Sequence, residues 1–149
     1  MRMTLLAALV AAMALPALAA DVGIVKVSNG SVTLEREGAR IPAAVGTPVH
    51  ASDVVVTGAD SAAGITFSDN SLVSVGPDSR FAIDKYAFDT TTYAGQFEGT
   101  LSQGRLAAVS GKMVKQSPES MKIRTPSAIM GVRGTEFVVQ VDPPAATRP

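Results

Sequence analysis

Reactive side chains are scarce in this 149-residue chain, which contains one histidine and no cysteine. A histidine-based triad would have to use His50, yet no G-x-S-x-G or S-x-x-K sequence supplies a nucleophile signature. One histidine without any thiol also gives no basis for a zinc site. We therefore expect no catalytic residue, no cofactor and no metal, and we interpret His50 as an ordinary surface or half-buried residue.

Four aspartates form the second group that could do chemistry, because hard cations such as Ca²⁺ bind clustered carboxylates. They are Asp69, Asp78, Asp84 and Asp89. Neither the EF-hand spacing nor the GGxGxDxUx repeat is present, and aspartates commonly cap their own turns. Two acids sharing a cleft could serve a hydrolase, but no motif supports this. We predict that the protein is not an enzyme.

Basic side chains form the third group and are concentrated near the C-terminus. Residues 101–149 contain seven bases and three acids, whereas residues 51–100 contain seven acids and two bases. A solvated face that blunts an edge strand is one interpretation, and docking of an anionic protein surface, peptidoglycan or lipopolysaccharide is another. A third is head-to-tail association with the acidic middle of another copy. The possible interaction strip comprises Lys112, Lys115, Lys122 and Arg124, with Arg133 nearby.

The first nineteen residues predict an export signal. Arg2 precedes an uncharged apolar segment over residues 5–15, and Ala17-Leu18-Ala19 has the small-x-small pattern of a cleavage site. We expect cleavage between Ala19 and Ala20 and a periplasmic or secreted protein, since the apolar segment is shorter than the about 20 residues of a membrane span. The remaining 12 bases and 13 acids give a net charge of −1, which argues against a nucleic-acid partner.

The remaining chain has the rhythm of an all-β domain, predicted over residues 20–141 with a flexible tail at 142–149. Short apolar runs recur every eight to twelve positions over residues 22–83, each bounded by turn-forming residues. Asn29-Gly30 predicts a hairpin between the runs at 22–27 and 31–34. Residues 86–106 are ambiguous, but three glycines favour strands because each costs a helix about 1 kcal/mol relative to alanine. A sandwich, a small barrel and a β-solenoid all suit this spacing.

Residues 121–141 contain two further strands joined by an unusual segment. Met121 and Ile123 alternate with Lys122 and Arg124, so the two pairs should lie on opposite faces of one strand. Thr125-Pro126 should end that strand. In the next strand we expect three apolar residues to share one face and Glu136, Val138 and Gln140 to share the other. The apolar three are Phe137, Val139 and Val141.

Glycines at positions 131 and 134 lie between these two strands. Such glycines are useful where φ is positive or where the backbone passes close to another segment. We interpret residues 121–141 as the segment that completes the fold. Whether the turn over residues 131–135 also serves as a recognition site is left open.

Four segments together resemble the FecR domain family and cover residues 22–141. They are GIVKVSNGSVTLER, VGTPVHASDVVVTGADSAAGITFSDNSLVSVGPDSRFAI, GTLSQGRLAAVSGKM and MKIRTPSAIMGVRGTEFVVQV. The last is the most specific, with its TP-x-A-x-x-G-x-RGT-x-F arrangement. Its motif residues are Thr125, Pro126, Gly131, Arg133, Gly134, Thr135 and Phe137.

This resemblance implies an all-β, solenoid-like domain of stacked strand pairs in the cell envelope, in a stand-alone exported form. It implies signalling or interaction and not catalysis. As partner we expect a membrane sensor or a receptor or, from the basic strip, an anionic envelope polymer. A structural or glycan-binding envelope component without a signalling role is the alternative, and self-association is open. Where the family often has Asp-Gly-Ser this chain has Asp69-Asn70-Ser71, so a positive φ there should fall on Asn70.

Overall fold

The computed structural model describes residues 20–132 and 136–142 of the chain. Of these residues, 60% lie in strands and 4% in helix, which confirms the all-β class. The predicted export signal and residues 143–149 of the predicted tail lie outside the described part. The elements in chain order are β1 (Asp21–Asn29), β2 (Val32–Arg36), β3 (Ala39–Pro42), β4 (Pro48–His50), β5 (Val54–Thr57), β6 (Ala62–Phe67), β7 (Leu72–Val75), β8 (Arg80–Phe88), β9 (Gly95–Val109), α1 (Lys112–Gln116), β10 (Met121–Arg124), β11 (Ile129–Gly131) and β12 (Glu136–Val141).

The 15-residue strand β9 belongs to both halves of one curled sheet. Its residues 95–103 pair with β8, and residues 97–100 pair with β10. Its residues 104–109 pair with β12, and residues 106–109 pair with β7. We call the half ordered β4-β1-β6-β7-β9-β12 sheet A, and the half ordered β3-β2-β5-β8-β9-β10-β11 sheet B. The predicted barrel-like alternative is consistent with this half-barrel.

Apolar side chains between the two halves form the core. Four aromatic rings lie at its centre: Phe67 contacts Phe97 edge-on at 4.8 Å between ring centroids, and Tyr86 lies 5.3 Å from Phe67. Phe81 stacks beside Phe97 at 6.5 Å. Valine, leucine and isoleucine from almost every strand surround these rings. With tryptophan and cysteine absent from the sequence, burial of these side chains supplies most of the driving force for folding.

Strand β9 bends at Gly104, where it passes from sheet B into sheet A. This glycine has φ +91°, and the next residue, Arg105, donates its N–H to Ser79 Oγ at 3.0 Å. The Ser79 N–H in turn donates to Thr57 Oγ1 at 3.0 Å, and the Thr57 hydroxyl donates to the Gly76 carbonyl at 2.6 Å. Three chain segments are thus bound together at the bend.

The predicted hairpin at Asn29-Gly30 is wrong. Strand β1 pairs with β4 and β6, whereas β2 pairs with β3 and β5. A type I′ turn needs positive φ at both central residues, and here only Gly30 has it, at 73°. The Ser31 N–H donates to Ser61 Oγ at 2.9 Å, which directs β2 into the other half. The dipeptide therefore makes a corner between sheets A and B.

Other local predictions agree with the structure. The ambiguous residues 86–106 lie mainly in β8 and β9, as the glycines indicated. Asn70 has φ 67°, which confirms that it takes the positive-φ position of its turn.

The short helix α1 was not predicted. It follows β9 and carries the chain toward β10, which runs parallel to β9. A parallel pair needs a crossover connection, and α1 lies within it.

We expect Gly104→Ala to lower the free energy of unfolding by about 3 kcal/mol. The positive φ disfavours any side chain, and a Cβ there would overlap with Ser79. Urea denaturation monitored by circular dichroism would measure the change.

Gly131→Ala is the matched control. Gly131 has no positive φ, and no described atom lies within 4 Å of a Cβ built there. We expect a change within about 0.5 kcal/mol. Equal destabilisation by both substitutions would contradict the assignment of Gly104 as the bend.

Candidate functional site

Residues 121–141 add strands to both halves of the sheet, which agrees with the prediction that this segment completes the fold. Strand β10 adds to β9 in sheet B, with Met121 and Ile123 fully buried. Strand β12 adds to β9 in sheet A, with Val139 buried and with Phe137 and Val141 packed against the core. The alternation predicted for each strand is therefore correct.

The motif residues Thr125 and Pro126 form the tight connection between β10 and β11. The Thr125 N–H donates to the Ala128 carbonyl at 2.8 Å, and the Ala128 N–H donates to Thr125 Oγ1 at 3.1 Å. The strand ends at Arg124, as expected before a proline.

Gly131 does not meet the expectation from the sequence. Gly131 is the last residue of β11 and pairs with Lys122 of β10. It has no positive φ and makes no close backbone approach to the described residues. An ordinary extended backbone accounts for this position, so the glycine is not required by local geometry. The motif residues Arg133, Gly134 and Thr135 lie outside the described residues, and so does the tip of the turn at 131–135.

The four basic residues of the possible strip occupy two different elements. Lys112 and Lys115 lie on α1, and Lys112 Nζ is 5.1 Å from the ring centroid of Tyr93. Lys122 and Arg124 lie on the exposed face of β10, opposite Glu98 and Thr100 of β9, respectively. 

Acidic side chains surround the β10 pair. Lys85 Nζ lies 3.8 Å from Glu98 Oε2, and the Thr100 hydroxyl donates to Asp84 Oδ2 at 2.5 Å. Asp84, Lys85, Glu98, Thr100 and Arg124 line one shallow depression. The outer face of sheet B around Lys122 and Arg124 therefore carries interspersed charges of both signs.

His50 is half-buried and takes part in a polar cluster at the edge of sheet A. Its Nε2 lies 2.8 Å from Asp21 Oδ1, and its backbone N–H donates to Asp53 Oδ2 at 2.8 Å. Asp53 is buried and accepts two hydrogen bonds from Arg36, at 2.8 and 2.6 Å. The hydrogen bond to Asp53 raises the pKa of Arg36. These contacts connect the start of β1 to sheet B and give His50 a structural environment.

Three of the four candidate calcium-binding aspartates, Asp69, Asp84 and Asp89, have separate hydrogen-bond partners, and Asp78 lies in a turn with φ 49°. Asp84 binds the Thr100 hydroxyl, and Asp89 accepts the N–H groups of Thr91 and Thr92 at 2.8 and 3.1 Å. Those N–H groups, Thr92 first, lower the pKa of Asp89. Among residues 20–132 and 136–142, no three His, Cys, Asp or Glu side chains are grouped so that they could hold a metal ion.

Asp69 is the centre of a buried hydrogen-bond network. Its carboxylate accepts the Tyr86 hydroxyl at 3.0 Å, and the N–H and hydroxyl of Ser71 at 3.1 and 2.7 Å. Its carbonyl accepts the Lys112 N–H at 2.8 Å, and Ser71 Oγ accepts the Gly111 N–H at 3.0 Å. The network joins the β6–β7 turn to β8 and to the start of α1. Turn formation is thus the role of Asp69, as the sequence suggested.

The outer face of sheet A, which points away from the core, exposes large apolar side chains that the sequence did not single out as a site. A clue was visible in Val138, an apolar residue at a position predicted to share the polar face of its strand. A groove of about 240 Å³ crosses this face over the small residues Gly64, Ser74 and Ala107. The exposed apolar residues of the face are Ile24, Val27, Leu72, Val109 and Val138.

Comparison with known proteins identifies the family. Residues 53–147 match the family described as FecR protein. The chain belongs to the FecR family. This match spans most of the region over which the sequence resemblance was drawn, including the motif at 125–137. FecR domains are associated with the cell envelope and with signalling.

Further comparisons are less extensive. No curated protein matches this FecR-family chain. One solved structure, described as a cell surface anchoring domain, is 29% identical in sequence and has a TM-score of 0.40. The match covers 41% of this chain and 82% of the chain of that structure. Among the described residues of the chain, helices are too short or too polar to cross a membrane.

Tyr86 in this FecR-family domain should make stability depend on alkaline pH. Burial raises the pKa of Tyr86, and the negative charge of Asp69 raises it further. In the unfolded chain the pKa is about 10, so the native state keeps its proton at pH values where the unfolded state loses it. The contribution of Tyr86 is therefore fully present below about pH 10 and is lost as the pH rises above that value. We expect the free energy of unfolding to fall less steeply there in Tyr86→Phe.

Tyr93→Phe provides a direct measurement, since it leaves Tyr86 as the only tyrosine. The near-ultraviolet absorbance of its phenolate should appear together with loss of the far-ultraviolet circular dichroism of the folded sheet. Ionisation of Tyr86 at about pH 10 in a chain that is still folded would contradict the buried network.

Proposed function

We propose that this FecR-family protein is a non-catalytic interaction module of the cell envelope, exported to the periplasm and acting in signalling. In this proposal it binds another protein through the outer face of sheet A. The observation that supports the proposal is the concentration of exposed apolar side chains on that single face. Five of the eight exposed large hydrophobic residues in the described part of the chain lie there.

Exposure on this face is substantial. Val138 has a relative exposure of 63%, Leu72 of 47% and Val27 of 46%. Single exposed apolar residues are normal, but contiguous apolar patches on soluble proteins usually mark interaction surfaces. Leu72 and Val109 are direct cross-strand neighbours, and Ile24 lies in the same row on the far side of Thr66.

The outer face of sheet B has a different character. Glu35 accepts two hydrogen bonds from Arg80 at 3.1 and 2.6 Å, and the hydrogen bond from Arg80 lowers the pKa of Glu35. Glu98 lies between Lys122 of β10 and Lys85 of β8. These charges largely compensate one another, so this face gives weaker support to docking of an anionic polymer than sheet A gives to docking of a protein.

Site-specific photo-crosslinking in intact cells would test the proposal. A photoreactive amino acid at position 72 or 138 should produce a crosslinked product of defined mass, containing this chain and a protein. These positions are exposed, so the substitution should leave the fold intact.

Positions 122 and 124 serve as matched controls on the exposed face of β10. Crosslinks arising only from the two control positions, or products containing only peptidoglycan or lipopolysaccharide, would refute protein binding through sheet A. Such products would instead support the structural or glycan-binding alternative.

A further inference from the structure

We infer that the protein bound by the outer face of sheet A is a second copy of this chain, in a symmetric face-to-face dimer. This inference rests on the proposed function and specifies its partner. It differs from the head-to-tail association considered from the sequence, because it uses the same apolar face of both copies.

Two cross-strand rows define the face. Strands β1, β6, β7, β9 and β12 lie side by side, so residues paired in register form rows across the sheet. The rows contain one charged residue, at the β12 end of the first. The first row is Ile24, Thr66, Leu72, Val109 and Glu136, and the second is Val27, Gly64, Ser74, Ala107 and Val138.

The middle of the face is suited to packing against another sheet. In the second row the small residues Gly64, Ser74 and Ala107 line the groove together with Val27, and Arg105 lines it from the neighbouring row. Val138 lies next to Ala107 at the β12 end of the row. Packed sheets cross at about 30°. Large side chains of the first row, such as Leu72, can then pack against the first row of the other copy.

Charges at the two ends of the face complement each other under two-fold symmetry. Lys26 is exposed beside Val27 in β1, where the pairing with β6 is irregular, and Glu136 is exposed in β12. Strand β7 is the middle strand of the five. A two-fold axis parallel to it places β1 of one copy over β12 of the other. Lys26 of each copy then faces Glu136 of the other. The two-fold axis repeats this contact, so the dimer contains two such ion pairs.

The area is adequate for weak association. Four strands contribute about six residues each and β7 contributes four. At a strand spacing of about 4.8 Å and a rise of about 3.3 Å per residue, this gives about 450 Å² per copy and about 900 Å² in total. This is near the lower limit for a specific interface. We therefore expect a dimer whose population depends on protein concentration.

Sedimentation velocity of the protein purified from the periplasm would test the inference over a wide concentration range. We expect a reversible monomer–dimer equilibrium that Leu72→Asp shifts toward monomer. Ser102→Asp is the matched control, because Ser102 is an exposed β9 residue within sheet B. The control should dimerise like the unaltered protein.

Charge reversal provides a second test at exposed positions that do not endanger folding. Lys26→Glu and Glu136→Lys should each weaken the dimer about tenfold, since two ion pairs become two repulsive contacts. The double variant, with both charges exchanged, should dimerise nearly as well as the unaltered protein. Failure of the double variant to recover would overturn the arrangement of β1 over β12.

The outcomes separate this inference from the proposed function. A chain that stays monomeric at every concentration, yet crosslinks from position 72 to a different protein, would overturn the dimer and leave the proposed function intact. A monomer that crosslinks to no protein would overturn both. A dimer unaffected by Leu72→Asp would show association through another surface and would also overturn the inference.

Discussion

The fold depends on satisfying both hydrogen-bonding edges of β9. Buried backbone N–H and C=O groups require partners, and this strand runs through the centre of the domain for 15 residues. Strands β7 and β8 pair with it in succession along one edge, and β10 and β12 pair along the other. No single partner follows the bend at Gly104, so each edge is shared by two strands. The division into sheets A and B follows from this requirement.

The buried network around Asp69 lies where the chain leaves β9, and it affects the direction that the chain takes from there. The chain leaves β9 at Val109, and the N–H groups of Gly111 and Lys112 bind to Ser71 and Asp69. This attachment fixes the start of α1 and of the crossover toward β10. A buried carboxylate needs several donors, and this one receives them from the turn that it helps to form. Local turn formation and long-range chain direction therefore use the same side chain.

Sequence reasoning succeeded where structure depends on near neighbours and failed where it depends on distant pairing. Alternation predicted the burial of Met121 and Ile123, and turn chemistry predicted the positive φ of Asn70. The corner at Gly30 was mistaken for a hairpin, because the pairing of β1 is decided by β6, more than thirty residues later. For the candidate site, Val138 was placed on the correct face, but only the assembled sheet shows that other exposed apolar residues lie beside it. Periodicity identifies the face of one strand, and strand order determines which faces become neighbours.

The late position of β10 and β12 in the chain has a consequence for folding kinetics. The β6–β7 and β8–β9 pairs are local and can form rapidly, whereas the remaining edge of β9 must wait for residues 121–141. During that interval the edge presents unpaired N–H and C=O groups along the central strand. An unpaired edge is a template for strands of other molecules. The C-terminal stretch therefore limits the time during which a partly folded chain can aggregate, in addition to completing the native sheet.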